Sequence, residues 1–195
     1  MPPPVKIPKT RLFVLDAGHG GYDYGIVVQD LKEKDLSLVI ANDLSAALSK
    51  KGNKVFLTRR SDQSVSITDR INFATSKKPD IFISLHFSPS GRFILYTAAP
   101  SDPSADAPAK LFSLSSTQSR YIDKSRTLSR AMGESLKNEF KADILLRELP
   151  LPALSYLDAP SVFIECPITK NFTYDQKMRD RFVGAIIKGL AAYDQ

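Results

Sequence analysis

Residues 12–21 read Leu12-Phe13-Val14-Leu15-Asp16-Ala17-Gly18-His19-Gly20-Gly21. Residues 11–16 are nearly all apolar and alternate poorly, which is the signature of a strand covered on both faces, as in a parallel sheet. The glycines that follow turn the chain and leave His19 at the carboxyl end of that strand. Two further runs have the same form. Asp80-Ile81-Phe82-Ile83-Ser84-Leu85 closes on His86, and Ser161-Val162-Phe163-Ile164 ends on Glu165. The chain has only two histidines, and both stand at such ends. Parallel α/β sheets bind their ligands in the crevice outside the carboxyl ends of the strands. His19, His86 and Glu165 therefore mark a candidate site.

Working outward, apolar residues recur at helical spacing over 35–50 (Leu36, Ile40, Leu44, Ala47, Leu48), with Lys50-Lys51-Gly52 as the stop. Further helices are expected over 66–76, 121–140 and 174–193, and further strands over 54–58 and 92–97. Residues 98–110 read as an exposed loop rich in Pro, Ser, Ala and Asp, and residues 145–157 as irregular chain. Strands alternating with helices give an α/β class with a largely parallel sheet. The 195 residues suit one domain, over 11–195, with residues 1–10 as a Pro-rich linker or tail. No apolar h-region precedes it, so no signal peptide is read there. The expectation is a chain that starts at a domain boundary of a longer or processed protein.

Composition narrows the partners. A hydrophobic share of 43% and a charged share of 25% belong to an ordinary globular protein, and no apolar run is long enough to span a bilayer. The net charge of +6 is spread along the chain without a basic helix or an aromatic platform, so no nucleic-acid partner is expected. One cysteine, Cys166, excludes an intrachain disulfide and cannot build a thiolate zinc site. With both histidines assigned elsewhere, nothing is left to activate Cys166 as a nucleophile, and a buried structural thiol is the reading. The Gly18–Gly21 spacing is not that of a phosphate-cradling loop.

Glu33 lies 14 residues beyond His19, just before the first helix. A loop of that length can fold back and set Glu33 beside His19 over the strand ends. His19, Glu33 and His86 then form a two-histidine, one-carboxylate set, the type that holds catalytic zinc and leaves a fourth position to water. Hydrolysis also needs a group that takes the water's proton and delivers it to the leaving nitrogen, and Glu165 is the candidate. Asp16 and Asp23 are turn residues or carboxylates that orient a ligand histidine.

The motifs 15–21, Leu31-Lys32-Glu33-Lys34-Asp35, Ile83-Ser84-Leu85-His86 and Phe163-Ile164-Glu165 resemble, in order, those of the zinc-dependent N-acetylmuramoyl-L-alanine amidases of bacterial cell-wall metabolism. Thr58-Arg59, Arg70 and Asn171 agree with that register. The resemblance implies one zinc per chain on His19, Glu33 and His86, and a catalytic Glu165. It implies a peptidoglycan or muropeptide substrate and a single α/β domain with a mixed, mostly parallel sheet between helices. By resemblance the site of action is periplasmic or wall-associated, an activator protein is a possible partner, and a monomer is favoured. Arg147 falls where the family often has a basic residue near the site. Two readings of it stand, a catalytic-site arginine that holds a substrate carboxylate or a surface partner of Glu148 or Asp143.

Some members carry an added helix over the zinc between the second histidine and the glutamate. Here the 79-residue interval is filled by a strand, a loop and one ordinary helix, so none is expected. Ser88 stands where the family has Asn, Cys166-Pro167-Ile168 where it has Gly-Phe, and Ala17 where Pro is common. None of these removes a ligand or the general base; they bear on the groove. Two other readings fit the same residues, a metal-dependent amidase on another peptide or wall fragment and a non-catalytic wall-binding module of the same fold.

Overall fold

A computed structural model describes residues 10–100, 116–169 and 172–194. The Pro-rich tail over 1–9, most of the 98–110 loop and Asn171 lie outside the described residues.

Six strands form one sheet: β1 (Leu12–Ala17), β4 (Lys54–Leu57), β5 (Ile81–Ser88), β6 (Phe93–Ala98), β7 (Ile144–Leu149) and β8 (Ser161–Pro167), in the order β4-β1-β5-β8-β6-β7. Pairing is parallel throughout except between β6 and β8. Two-residue strands β2 (Val27–Val28) and β3 (Leu31–Lys32) make a separate antiparallel ribbon. The helices are α1 (Glu33–Lys50), α2 (Ile67–Lys77), α3 (Ser116–Ser119), α4 (Ile122–Phe140), α5 (Pro152–Ser155) and α6 (Gln176–Tyr193).

Because successive strand residues point to opposite faces, β1 sends Phe13, Leu15 and Ala17 one way and Val14 and Asp16 the other. The first set joins Ile83, Leu85, Phe87, Val162, Ile164 and Cys166 under α1, α4 and α6 in the larger core. Val14 joins Phe82, Ala74 of α2, and Leu154 and Leu157 at α5 in the smaller one. The second face is therefore thinly covered, and the cleft between α2 and α5 opens on the carboxyl ends of β1, β5 and β8.

Helix boundaries follow local chemistry. Ser66 caps α2 by accepting from the Asp69 amide, and Asp175 caps α6 by accepting from that of Met178. α1 has no side-chain cap. Its first amides are bound by the loop instead, Glu33 N–H by the Ile26 carbonyl at 2.9 Å and Lys34 N–H by that of Tyr24 at 3.2 Å. This corrects two expectations. Glu33 is the first residue of the helix rather than its forerunner, and the preceding loop contains the β2–β3 ribbon.

The stretch expected to be irregular over 145–157 is also corrected, since it holds edge strand β7 and the one-turn helix α5. β7 is largely solvent-exposed, so its sequence Ile-Leu-Leu-Arg-Glu-Leu carries no clean alternation of period two. The other expected helices and strands hold to within a few residues, which is the usual ambiguity of frayed ends.

Helices α4 and α6 cross closely at Gly189. A Cβ there would sit 2.7 Å from the Met132 Cα, whereas one at Gly184 on the same helix would meet nothing within 4 Å. Gly189→Ala is expected to destabilise the protein by about 1–3 kcal/mol through overpacking. Gly184→Ala should instead gain up to about 1 kcal/mol of helix propensity. Urea unfolding of the two variants checks the contrast.

Candidate metal centre

The turn after β1 is fixed from behind by two arginines. Arg59 donates from Nε to the Ala17 carbonyl (2.9 Å) and from Nη2 to those of Gly18 and Lys34 (both 2.7 Å). Arg70 donates to the carbonyls of Ala17 and His19, each at 2.6 Å. Asp16 balances this buried charge. It accepts from Arg70 (2.7 Å), Thr58 (2.6 Å) and Ser84 (2.7 Å) while only 2% exposed. Burial alone would raise the Asp16 pKa, but the Arg70 charge and the Thr58 hydroxyl outweigh it and hold the carboxyl below its usual range.

So anchored, the chain passes through His19 in the left-handed region, at φ 59°. His19 Nδ1–H donates to Asp23 Oδ2 at 2.7 Å, because a carboxylate only accepts, and the ring turns Nε2 towards Glu33 Oε1 at 3.1 Å. Glu33 is brought there by the loop that caps α1. Its Oε2 accepts from the Ile26 amide at 2.9 Å, and its Oε1 from the Phe87 amide at 2.9 Å. His86 Nδ1 faces the same oxygen at 2.9 Å. The ligand-capable atoms of His19, Glu33 and His86 all lie within 4.8 Å of one another.

Electrostatics agree with a cation site. Burial opposes ionisation of Glu33, yet hydrogen bonds from both histidines and two amides drive its pKa far below the carboxylate range. Burial also opposes a charged His19, but the carboxylates of Glu33 and Asp23 raise its pKa. Two imidazole nitrogens and one carboxylate oxygen, each facing a common point, are the donor set that suits zinc with an open position. The three side chains fit the metal that the sequence implies.

Close packing leaves little latitude. A Cβ on Gly18 would lie 2.3 Å from His86 Cε1, inside the ring. Gly25, at φ 63°, would place one 2.5 Å from Glu33 Oε2 and 2.6 Å from His19 Cδ2. Beside His19 and His86, a cavity of about 260 Å³ is lined by Val65, Ile67, Leu151, Pro152, Ala153 and Phe163 among others.

Glu165 stands on β8 directly across the ladder from His86, so both side chains leave the same face. Tyr96 of β6 donates its hydroxyl to Glu165 Oε2 at 3.3 Å. Arg147 pairs with Tyr96 in the β6–β7 register, and its charge acts on the Tyr96 hydroxyl. It makes no ion pair among the described residues. Glu148 points to the other face and is held by Arg126 at 2.6 Å.

Asp23 orients the His19 ring through their 2.7 Å hydrogen bond, while Asp16 instead holds Arg70 of the arginine clamp. Cys166 points into the larger core, wholly buried, and burial pushes its thiol well up. Ser88 bonds Ser90 at 2.8 Å. Tyr96 and Phe163 are the neighbours that the sequence reading overlooked. Period two gives their facing, but only the antiparallel β6–β8 pairing brings Tyr96 to Glu165.

With this geometry established, comparison with known proteins is informative. The family described as N-acetylmuramoyl-L-alanine amidase matches residues 13–192. The amidase AmiC of Escherichia coli is 27% identical over 98% of this chain and 55% of its own length. The probable cell wall amidase LytH of Staphylococcus saprophyticus is 28% identical over 98% of the chain and 61% of its own. The chain thus spans little more than half of these relatives. The CwlD amidase of Clostridioides difficile, solved in complex with the GerS lipoprotein, shares the fold with a TM-score of 0.76. It is 22% identical, over 94% of this chain and 98% of that one.

Gly18→Ala should weaken zinc binding about 10–100-fold, as displaced ligand support commonly does, with Gly184→Ala unaffected; competition against a chromophoric chelator measures both. Asp16→Asn leaves Arg70 buried without its counter-charge and should cost about 3–5 kcal/mol near neutral pH. The Asp16 pKa is lowered on folding, so its contribution is complete above the unfolded carboxyl pKa, about 3.9. It fades as pH falls through the lower native value. Urea unfolding of parent and variant from neutral to acid pH should show the gap closing only at the acid end.

Proposed function

The chain belongs to the N-acetylmuramoyl-L-alanine amidase family, and from that premise we propose that it is a zinc-dependent hydrolase of peptidoglycan. The bond cleaved joins the lactyl carbonyl of N-acetylmuramic acid to the amino group of L-alanine in the stem peptide. The observation that carries this reading is the gathering of His19, Glu33 and His86 within 4.8 Å, with Glu165 across the ladder from His86.

His19, Glu33 and His86 would hold one zinc. Zinc in such a site supplies a Lewis acid that polarises the scissile carbonyl and makes a water acidic enough to attack near neutral pH. The protein's own groups do the rest. Asp23 keeps His19 in the tautomer that offers Nε2. The amides of Ile26 and Phe87 keep Glu33 ionised. Glu165 accepts the proton of the attacking water and passes it to the alanine nitrogen, so that the amine leaves neutral. Arg147, with no carboxylate partner among the described residues, would hold a carboxylate of the stem peptide.

The two alternatives weaken on particular residues. A binding module would have no use for a carboxylate beside the metal centre. An amidase for another wall fragment would depend on the groove, and Cys166, one of the departures, faces the core and not the groove. Ser88 is turned to Ser90.

The substrate implies action in the periplasm or at the cell wall. No helix among the described residues is long and apolar enough to cross a membrane. A regulating partner protein belongs to the proposal, on the precedent of the neighbour in complex with a lipoprotein, and a monomer is the form proposed for the chain itself.

Glu165→Gln is expected to lower amidase activity on purified sacculi about 10²–10⁴-fold with the bound zinc unchanged. The assay is mass spectrometry of released stem peptides bearing an L-alanine amino terminus, beside metal analysis. A Gln variant as active as the parent would remove Glu165 from the reaction.

A further inference from the structure

Phe163 and Tyr96 take no part in the hydrolysis just described, yet between them they touch a metal-competent histidine and the carboxylate beside it. Phe163 lies on β8 two residues before Glu165 and so shares its face. Its ring stacks on that of His86, with centroids 4.2 Å apart and planes at 14°. β5 lies between β1 and β8 in the sheet. The His86 ring therefore has Gly18, at the end of β1, on one side and Phe163 on the other. Gly18 approaches so closely that a Cβ would overlap the imidazole, at 2.3 Å. The ring sits in a slot between backbone and phenyl.

Tyr96 completes the arrangement from the antiparallel strand. It pairs with Phe163 in the β6–β8 register and meets its ring edge-on, with centroids 5.8 Å apart and planes at 76°. The same side chain donates its hydroxyl to Glu165 at 3.3 Å.

We propose that Phe163 and Tyr96 are positioning residues, Phe163 fixing the plane of His86 for metal binding and Tyr96 orienting Glu165 while bracing Phe163. The physical need is clear. The second side-chain torsion of histidine is broad and roughly two-fold, and His86 sits at a strand end with its side chain 18% exposed. A ring free to turn would offer its nitrogen to the site only part of the time. Parallel stacking closes that freedom without competing for the nitrogen, as a hydrogen-bonding neighbour would. The Phe163 half rests only on the metal-competent cluster. The Tyr96 half rests on the proposed role of Glu165.

The test uses zinc titration in competition with a chromophoric chelator, and hydrolysis of purified sacculi, on the same full chain. Phe163→Leu keeps most of the apolar volume and removes the stack. It should weaken zinc binding about two- to tenfold, the range an aromatic pair contributes. Phe163→Tyr, which keeps a ring, should restore it to within about twofold of the parent. Tyr96→Phe keeps the edge contact and removes only the hydroxyl. Its zinc affinity should match the parent's while kcat falls about two- to tenfold at unchanged KM.

Unaltered zinc affinity in Phe163→Leu would overturn the first half. Unaltered kcat in Tyr96→Phe, or a fall in its zinc affinity, would overturn the second. A parent that binds zinc but releases no stem peptide would overturn the hydrolase reading and the Tyr96 role with it. The zinc titrations would still decide Phe163.

Discussion

Two buried arginines, Arg59 and Arg70, take up the backbone carbonyls of Ala17, Gly18 and His19, and that clamp fixes the turn that carries His19 to the other groups of the site. A turn that carries a histidine at positive φ and passes within contact of a second imidazole has no apolar reason to stay where it is. Five donor groups of a guanidinium, fixed in one plane, can hold several carbonyls at once where a lysine would hold one. Two such charges behind one turn would be intolerable without Asp16, which is why a carboxylate sits one residue from the carboxyl end of an otherwise apolar strand. Thr58 and Ser84, from the strands on either side, fill its remaining acceptor sites.

That interaction also explains how much could be read in advance. The parallel sheet was legible because β1, β5 and β8 are central strands whose residues are apolar on both faces, and runs of that kind have few other uses. Their ends named His19, His86 and Glu165. Glu33 was legible from loop length, although not the reason it arrives, which is that the loop's own carbonyls cap α1. The edge of the sheet was not legible. β7 has one side open to solvent and no periodic constraint, and α5 is a single turn. Tyr96 shares that fate, since its closeness to Glu165 comes from a reversal of strand direction that no local pattern announces.

The departures from the family pattern sort by face. Cys166 points into the core beneath α1 and α6, and a thiol there is a small apolar filler. Pro167 ends β8, where its carbonyl accepts from the buried Tyr174 hydroxyl at 2.7 Å. Ser88 and Pro167, paired across the β5–β8 ladder two residues beyond His86 and Glu165, lie on the face of the His19–Glu33–His86 cluster. The side chains proposed for chemistry are thus carried by the ends of three rigid strands and one helix start, and variation falls in what surrounds them. This is the division that a preorganised site requires.

The central claim is that His19, Glu33 and His86 together hold a single zinc. The most direct measurement is the zinc X-ray absorption spectrum of the reconstituted chain, recorded beside its metal stoichiometry. The account predicts about one zinc per chain in a shell of nitrogen and oxygen at about 2.0–2.2 Å, with two imidazoles visible by multiple scattering. A sulfur neighbour at about 2.3 Å, or a chain that takes up no stoichiometric zinc, would contradict it.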